Sequence, residues 1–236
     1  MFKIALTAGH YKHTAGKRCL KALDPNETRE WVLNDRIADK VEKLLAARYT
    51  GYELIRTDDT TGEKDISLNA RTTAANNFKA DFYLSIHHNA GINGGKGGGI
   101  VAYVYTKPSA ESVAWQKAMY NALIEATGLK GNRSNPMPKA NLHEVREPKM
   151  PSVLLELGFM DSKTDVPVIL SENYADQCAE AIVKVLAVGG KLEPKPAESK
   201  KLYRVQVGAY SKLENAEAML KKVKAAGFND AYINEV

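Results

Sequence analysis

The residues of this chain that could do chemistry are two histidines and two acids, spread over most of its length. His10 directly follows the apolar run Phe2 to Ala8. His87 and His88 end a second apolar run that begins at Asp81. Glu30 opens a helical stretch, about one turn before Leu33 and Asn34. If both runs are parallel strands, these side chains meet at one sheet edge, because ligands of open α/β sheets gather outside the carboxyl ends of the strands. Two histidines and one carboxylate leave a fourth position on a zinc ion for water, as a catalytic site requires. An ion held so lowers the pKa of that water and polarises a carbonyl. The sequence contains no His-Glu-x-x-His helix and no Cys-x-x-Cys pair that would point to another metal arrangement. Two choices stay open: Glu27 rivals Glu30, and His88 rivals His87. Alternation along a strand puts neighbouring side chains on opposite faces, so only one of the two histidines should serve.

Glu156 is the second acid. It interrupts the otherwise apolar run Val153-Leu154-Leu155-Glu156-Leu157-Gly158-Phe159. Burying a carboxylate costs several kcal/mol unless it is paired or metal-linked. Glu156 therefore either faces solvent from an edge strand or is a general acid/base whose pKa is tuned by burial near a cation.

The elements that must carry these residues follow from periodicity. Leu33, Ile37, Val41 and Leu44 recur at spacings of three and four and predict a helix over 30–48. Further helices are expected over 67–78, with Ser67 as N-cap, over 110–127 and over 171–188. Strands are expected over 2–8, 52–56, 81–87, 100–105 and 152–157, with a Gly-rich loop over 93–99. Strands alternating with helices predict an α/β fold, largely parallel, with helices on both faces.

Composition narrows the partners. The chain has 236 residues, 44% apolar and 26% charged, enough for a core without staples. Its net charge of +5 suits an acidic partner. No Arg-rich run with interleaved aromatics supports nucleic acid, which is not expected as a partner. No apolar run approaches a membrane span, so no membrane is expected either. The start, Met-Phe-Lys-Ile-Ala-Leu-Thr, is too short and too soon polar for a signal peptide. Synthesis in the cytoplasm is expected, with any outside action following release. Cys19 and Cys178 form no disulfide framework, and Cys178 falls on an apolar helix face.

Several segments, in this order, resemble the zinc-dependent N-acetylmuramoyl-L-alanine amidases, the family of bacterial autolysins and phage endolysins. They are Thr7-Ala8-Gly9-His10, Glu30 with Asn34 and Ile37-Ala38, Leu68-Asn69-Ala70-Arg71 with Ala75-Asn76, Asp81 leading into Ser85-Ile86-His87-His88-Asn89-Ala90, and Pro151 through Phe159, followed by Asp165. The resemblance spans about residues 1–188. It implies one zinc ion on His10, Glu30 and His87, with Glu156 as the catalytic carboxylate. It implies hydrolysis of the amide joining N-acetylmuramic acid to L-alanine in peptidoglycan. It also implies a mixed, mostly parallel sheet flanked by helices. The first ligand departs from the common Asp-Pro-Gly-His-Gly pattern, reading Thr-Ala-Gly-His-Tyr, yet keeps Gly and His. Its spacing to Asn34 and Ile37-Ala38 favours Glu30 over Glu27. Asn89 is expected at the cleft as a substrate contact, and Arg71 either there or in a surface ion pair. Another zinc hydrolase on this fold, a peptidase or deacylase, is the alternative, as is a wall-binding protein without catalysis.

Residues 189–201 carry Gly-Gly, Pro and many charges and read as a linker. Beyond it, 202–236 predicts a small strand-helix-strand unit: Tyr203, Val205 and Val207 alternate with polar residues, a helical stripe includes Ala216, Met219, Leu220 and Val223, and a second strand covers Ala231 to Val236. The segment Tyr203 to Ser211, with Asn215-Ala216-Glu217 and Ala225-Ala226-Gly227-Phe228, resembles the first half of a SPOR domain. That resemblance implies peptidoglycan binding. A unit of two strands and one helix is marginal alone, so pairing with a second copy into a homodimer is expected.

Overall fold

A computed structural model of the chain describes residues 1–196 and 205–235. Two compact units divide it, Met1–Lys195 and Pro196–Val236.

In chain order the first unit comprises β1 (Phe2–Ala8), α1 (Glu30–Arg48), β2 (Tyr49–Thr50), β3 (Tyr52–Arg56), α2 (Leu68–Phe78), β4 (Phe82–Asn89), β5 (Ile100–Tyr105), α3 (Ala110–Thr127), β6 (Lys139–Ala140), α4 (His143–Arg146), β7 (Ser152–Phe159), α5 (Val166–Ile169), α6 (Glu172–Gly189) and β8 (Glu193–Pro194). Six strands form one sheet in the order β3-β1-β4-β7-β5-β6. Only the β5–β7 pair is antiparallel. This is the expected mixed, mostly parallel α/β sheet.

Parallel strands covered on both faces read as continuous apolar runs, and β4 and β7 are buried almost throughout. One face carries the main core, where Ile4, Leu6, Phe82, Leu84 and Ile86 pack with residues of α1, α3 and α6. On α6 the buried set includes Tyr174, Ala175, Cys178, Ile182 and Leu186, a helical stripe that turns Cys178 into the core. The opposite face is thinner: Ala5 and Tyr83 meet Ala75 of α2. Helix ends match their signals. The side chains of Ser67, Ser109 and Ser171 each accept a first-turn N–H, and Gly128 ends α3 in the left-handed conformation.

The linker begins later than the sequence suggests. Glu193–Pro194 pairs antiparallel with Tyr49–Thr50, the Lys195 N–H donates to the Arg48 carbonyl at 2.7 Å, and Leu192 is buried. The Gly-Gly pair is therefore the end of α6, close to the rings of Trp115 and Phe2.

The second unit contains α7 (Leu213–Ala225), none of whose residues is buried. The expected strands are not found among its described residues: 205–210 and 231–235 have no strand pairing, while Tyr203 and Val236 lie outside the described residues. A strand exists only against a partner, and among the described residues of this short unit Val205, Val207, Phe228 and Tyr232 are all exposed.

Candidate functional site

β1 and β4 end side by side at one sheet edge, where Gly9 N–H donates to the Ile86 carbonyl at 2.9 Å. Because β1 stops at Ala8, β4 runs on past its neighbour. The His88 N–H, which would have continued that ladder, donates instead to Glu30 Oε1 at 3.2 Å. Between β4 and β7, His87 pairs with Glu156, but Asn89 pairs with Phe159, so one extra β7 residue is accommodated there. A bulge of this kind re-aims side chains next to a site.

His10, Glu30 and His87 converge, with one donor atom from each lying within 4.8 Å of the others. Glu30 Oε1 is 3.0 Å from His87 Nδ1, and Glu30 Oε2 is 3.2 Å from His10 Nε2. The two imidazoles meet edge to face, their centroids 5.1 Å apart. Glu30 begins α1, where the helix dipole favours a negative charge. Burial opposes its ionisation, yet His10 and His87 hold its carboxyl well below the usual range. Burial likewise opposes charge on His87, but the carboxylates of Glu144 and Glu30 outweigh it and push its pKa up to about 10.

The backbone around His10 is held by buried side chains. His10 has a positive φ of 67°, a conformation uncommon outside glycine. Arg71 of α2 donates to the Thr7 hydroxyl at 2.9 Å, the Ala8 carbonyl at 2.6 Å, the His10 carbonyl at 2.7 Å and the Ile66 carbonyl at 2.8 Å. Asn34 of α1 donates to the Gly9 carbonyl at 3.1 Å. Gly9 is required because a Cβ there would lie 2.0 Å from His87 Cε1.

These placements bring His10, Glu30 and His87 together, leave Glu27 and His88 outside that cluster, and correct one expectation. Arg71 is 2% exposed and its guanidinium is spent on the backbone, so it is neither a substrate contact nor a surface ion pair. It clamps the backbone of the loop that carries His10. Glu27 points to Arg18 and Lys21, at 3.1 and 3.8 Å, and is absent from the histidine cluster. His88 faces away from His87, its Nδ1 2.8 Å from Asn34 Oδ1, and burial lowers its pKa to about 3. Asn89 is half-buried at the end of β4, its Oδ1 accepting the Ala90 N–H at 2.9 Å.

Glu156 lies in β7, an interior strand between β4 and β5, which removes the edge-strand reading. Glu156 as a whole is half-buried, but its Oε2 is buried without a hydrogen-bond partner. Burial raises its pKa to about 7, suited to taking and giving a proton near neutral pH. Glu30 Oε2 is also buried and makes no hydrogen bond of good geometry, though His10 Nε2 lies 3.2 Å and Lys17 Nζ 3.6 Å away. Two imidazole nitrogens and a carboxylate this close suit a divalent ion of the zinc type.

Sequence reasoning missed Glu144 and Tyr83. Glu144 is buried on α4, with Oε2 3.2 Å from His87 Nε2 and Oε1 accepting the Tyr83 hydroxyl at 2.7 Å. Burial opposes its charge, but His87 and Tyr83 hold its pKa down at about 2. The only signal was a tyrosine inside an apolar strand and a glutamate between Leu142 and Val145.

Comparison with known proteins agrees with this geometry. The family model described as N-acetylmuramoyl-L-alanine amidase matches residues 4–187. A SPOR domain model matches 182–235, beginning inside α6 rather than at 202. The chain is similar to the sporulation-specific N-acetylmuramoyl-L-alanine amidase of Bacillus subtilis (strain 168), 31% identical over 231 residues, covering 97% of this chain and 83% of that protein. It is also similar to the endolysin of Bacillus phage SPP1, 31% identical over 207 residues, covering 83% and 72%. The catalytic domain of the amidase CwlV from Bacillus (Paenibacillus) polymyxa var. colistinus shares the fold, with a TM-score of 0.71 at 24% identity, covering 82% of this chain and all of that one. With a family match over most of its length, this chain belongs to the N-acetylmuramoyl-L-alanine amidase family and is a peptidoglycan hydrolase that cleaves the amide between N-acetylmuramic acid and L-alanine.

Proposed function

We propose that the amidase works with one zinc ion held by His10 Nε2, Glu30 and His87 Nδ1, and with Glu156 as general acid/base. The observation that carries this reading is the convergence of three donor atoms within 4.8 Å, with Glu156 in register beside His87. When bound, zinc supplies Lewis acidity toward a water and the scissile carbonyl. Glu156 takes a proton from the attacking water and delivers it to the departing alanine nitrogen. Asn89, at the mouth of the site, contacts the glycopeptide.

The second unit serves as a peptidoglycan anchor and pairs with a second copy. Its exposed Val205, Val207, Phe228 and Tyr232 support this, since a cluster of uncovered apolar residues invites a partner surface. No described helix is long and apolar enough to cross a membrane. The endolysin and sporulation relatives support action on the wall after the membrane fails.

The test is mass spectrometry of purified peptidoglycan after digestion, with and without chelation and zinc re-addition. Free L-alanine amino termini and peptide-free glycan, lost on chelation and restored by zinc, are expected. Cleavage that survives thorough chelation would refute the metal reading, and cleavage between stem residues would make the chain a peptidase. Sedimentation of the full chain checks the pairing: a strict monomer at all concentrations rejects it.

A further inference from the structure

Glu144 is a buried carboxylate that the proposed reaction does not use. It comes from the four-residue helix α4 and is 4% exposed. Such a burial costs several kcal/mol unless the oxygens are satisfied. Both are: Oε1 accepts the hydroxyl of the fully buried Tyr83 at 2.7 Å, and Oε2 faces His87 Nε2 at 3.2 Å. Tyr83 and His87 are four residues apart on β4 and so point to the same face. The hydroxyl, the carboxylate and the imidazole therefore form one line.

Direct coordination does not account for Glu144. The nitrogens of one imidazole point in divergent directions. Nδ1 of His87 faces Glu30 at 3.0 Å, and His10 approaches the same carboxylate. Glu144 sits at the other nitrogen and is not in the cluster of possible ligands. A plain buried ion pair does not account for it either, because Tyr83 is spent on fixing the carboxylate.

We propose that Glu144, anchored by Tyr83, is a positioning residue for the amidase site: it accepts the Nε2–H of His87, fixes the ring and its tautomer, and so presents the Nδ1 lone pair to the metal. A histidine ligand whose far N–H is held by a carboxylate has its orientation and basicity set by that partner. The inference rests on the zinc reading above.

The test measures zinc affinity of the full chain by competition with a chromophoric chelator, for wild type, Glu144→Gln, Glu144→Leu and Tyr83→Phe. Thermal melts of the chelator-treated proteins run beside it. Glu144→Leu should weaken zinc by about tenfold to hundredfold. Glu144→Gln keeps an oxygen acceptor without the charge and should fall between it and wild type. Tyr83→Phe should lose a few-fold. The kcat at saturating zinc should fall less than the affinity. Zinc affinities of the folded Glu144 variants within about twofold of wild type would overturn the proposal. If Glu144→Leu does not fold, Glu144→Gln and Tyr83→Phe decide by the same criterion. A wild type that takes no zinc is a separate outcome that defeats the metal reading itself.

Discussion

Replacing Glu156 by Gln should abolish catalysis and, in metal-free protein, raise stability in a pH-dependent way. The folded carboxyl has a pKa of about 7 against an ordinary 4.5, because burial disfavours its charge. Below the ordinary value the acid is protonated in both folded and unfolded chains, and Glu156 costs nothing electrostatic. As pH rises from 4.5 toward 7, the unfolded chain loses its proton while the folded one keeps it, so folded wild type loses ground. Above 7 both are ionised and the penalty stays constant. At about 1.4 kcal/mol per pKa unit, the full penalty is about 3 kcal/mol. Glutamine cannot ionise, so it carries no such slope, and its own imperfect bonding adds an offset that does not vary with pH. The assay is urea unfolding of both chelator-treated proteins at several pH values between about 4 and 8. The stability gap between Glu156→Gln and wild type should widen by about 3 kcal/mol over that range. A bound cation favours the carboxylate, so added zinc should shrink the gap. A gap that does not change with pH would refute the assignment of Glu156 as a carboxyl strained by burial.

Two other substitutions probe the frame around the proposed metal ligands. Gly9→Ala places a Cβ 2.0 Å from His87 Cε1, so zinc affinity by chelator competition should fall by more than about tenfold; unchanged affinity would mean that the ring relocates freely. Arg71→Lys removes a fork that serves three carbonyls and a hydroxyl, and at about 1–3 kcal/mol for each group left unsatisfied it should cost about 3 kcal/mol or more in denaturant unfolding. A loss under about 1 kcal/mol would mean that water or the lysine replaces those bonds.

The candidate site residues stood out in the sequence because each sits at a strong periodic boundary. β1 and β4 are continuous apolar runs, so His10 and His87 at their ends were visible as polar residues in fixed places. Glu156 stood out because it interrupts β7. The choice between His87 and His88 was not legible from spacing, since alternation separates the faces without saying which one meets Glu30. Arg71 was misread for a physical reason: a lone arginine on a helix looks exposed, and only the left-handed turn at His10 gathers the carbonyls that draw it inward. Glu144 left no periodic trace because α4 is a single turn. The tail strands failed because alternation predicts a strand only where a partner exists, and the second unit supplies none within its described residues.

The carbonyls of Ala8, Gly9 and His10 are gripped from two helices, by Arg71 of α2 and Asn34 of α1. A loop so tied has already surrendered its conformational freedom when the chain folds, and the proposed ion would have little left to order. The loop also does not swing away freely, because doing so would strip the buried Arg71 guanidinium of two carbonyl partners and the Asn34 amide N–H of its one. For the proposed ion, exchange would run through rotation of the three donor side chains, and its residence time would depend on the helix scaffold as well as on those donors.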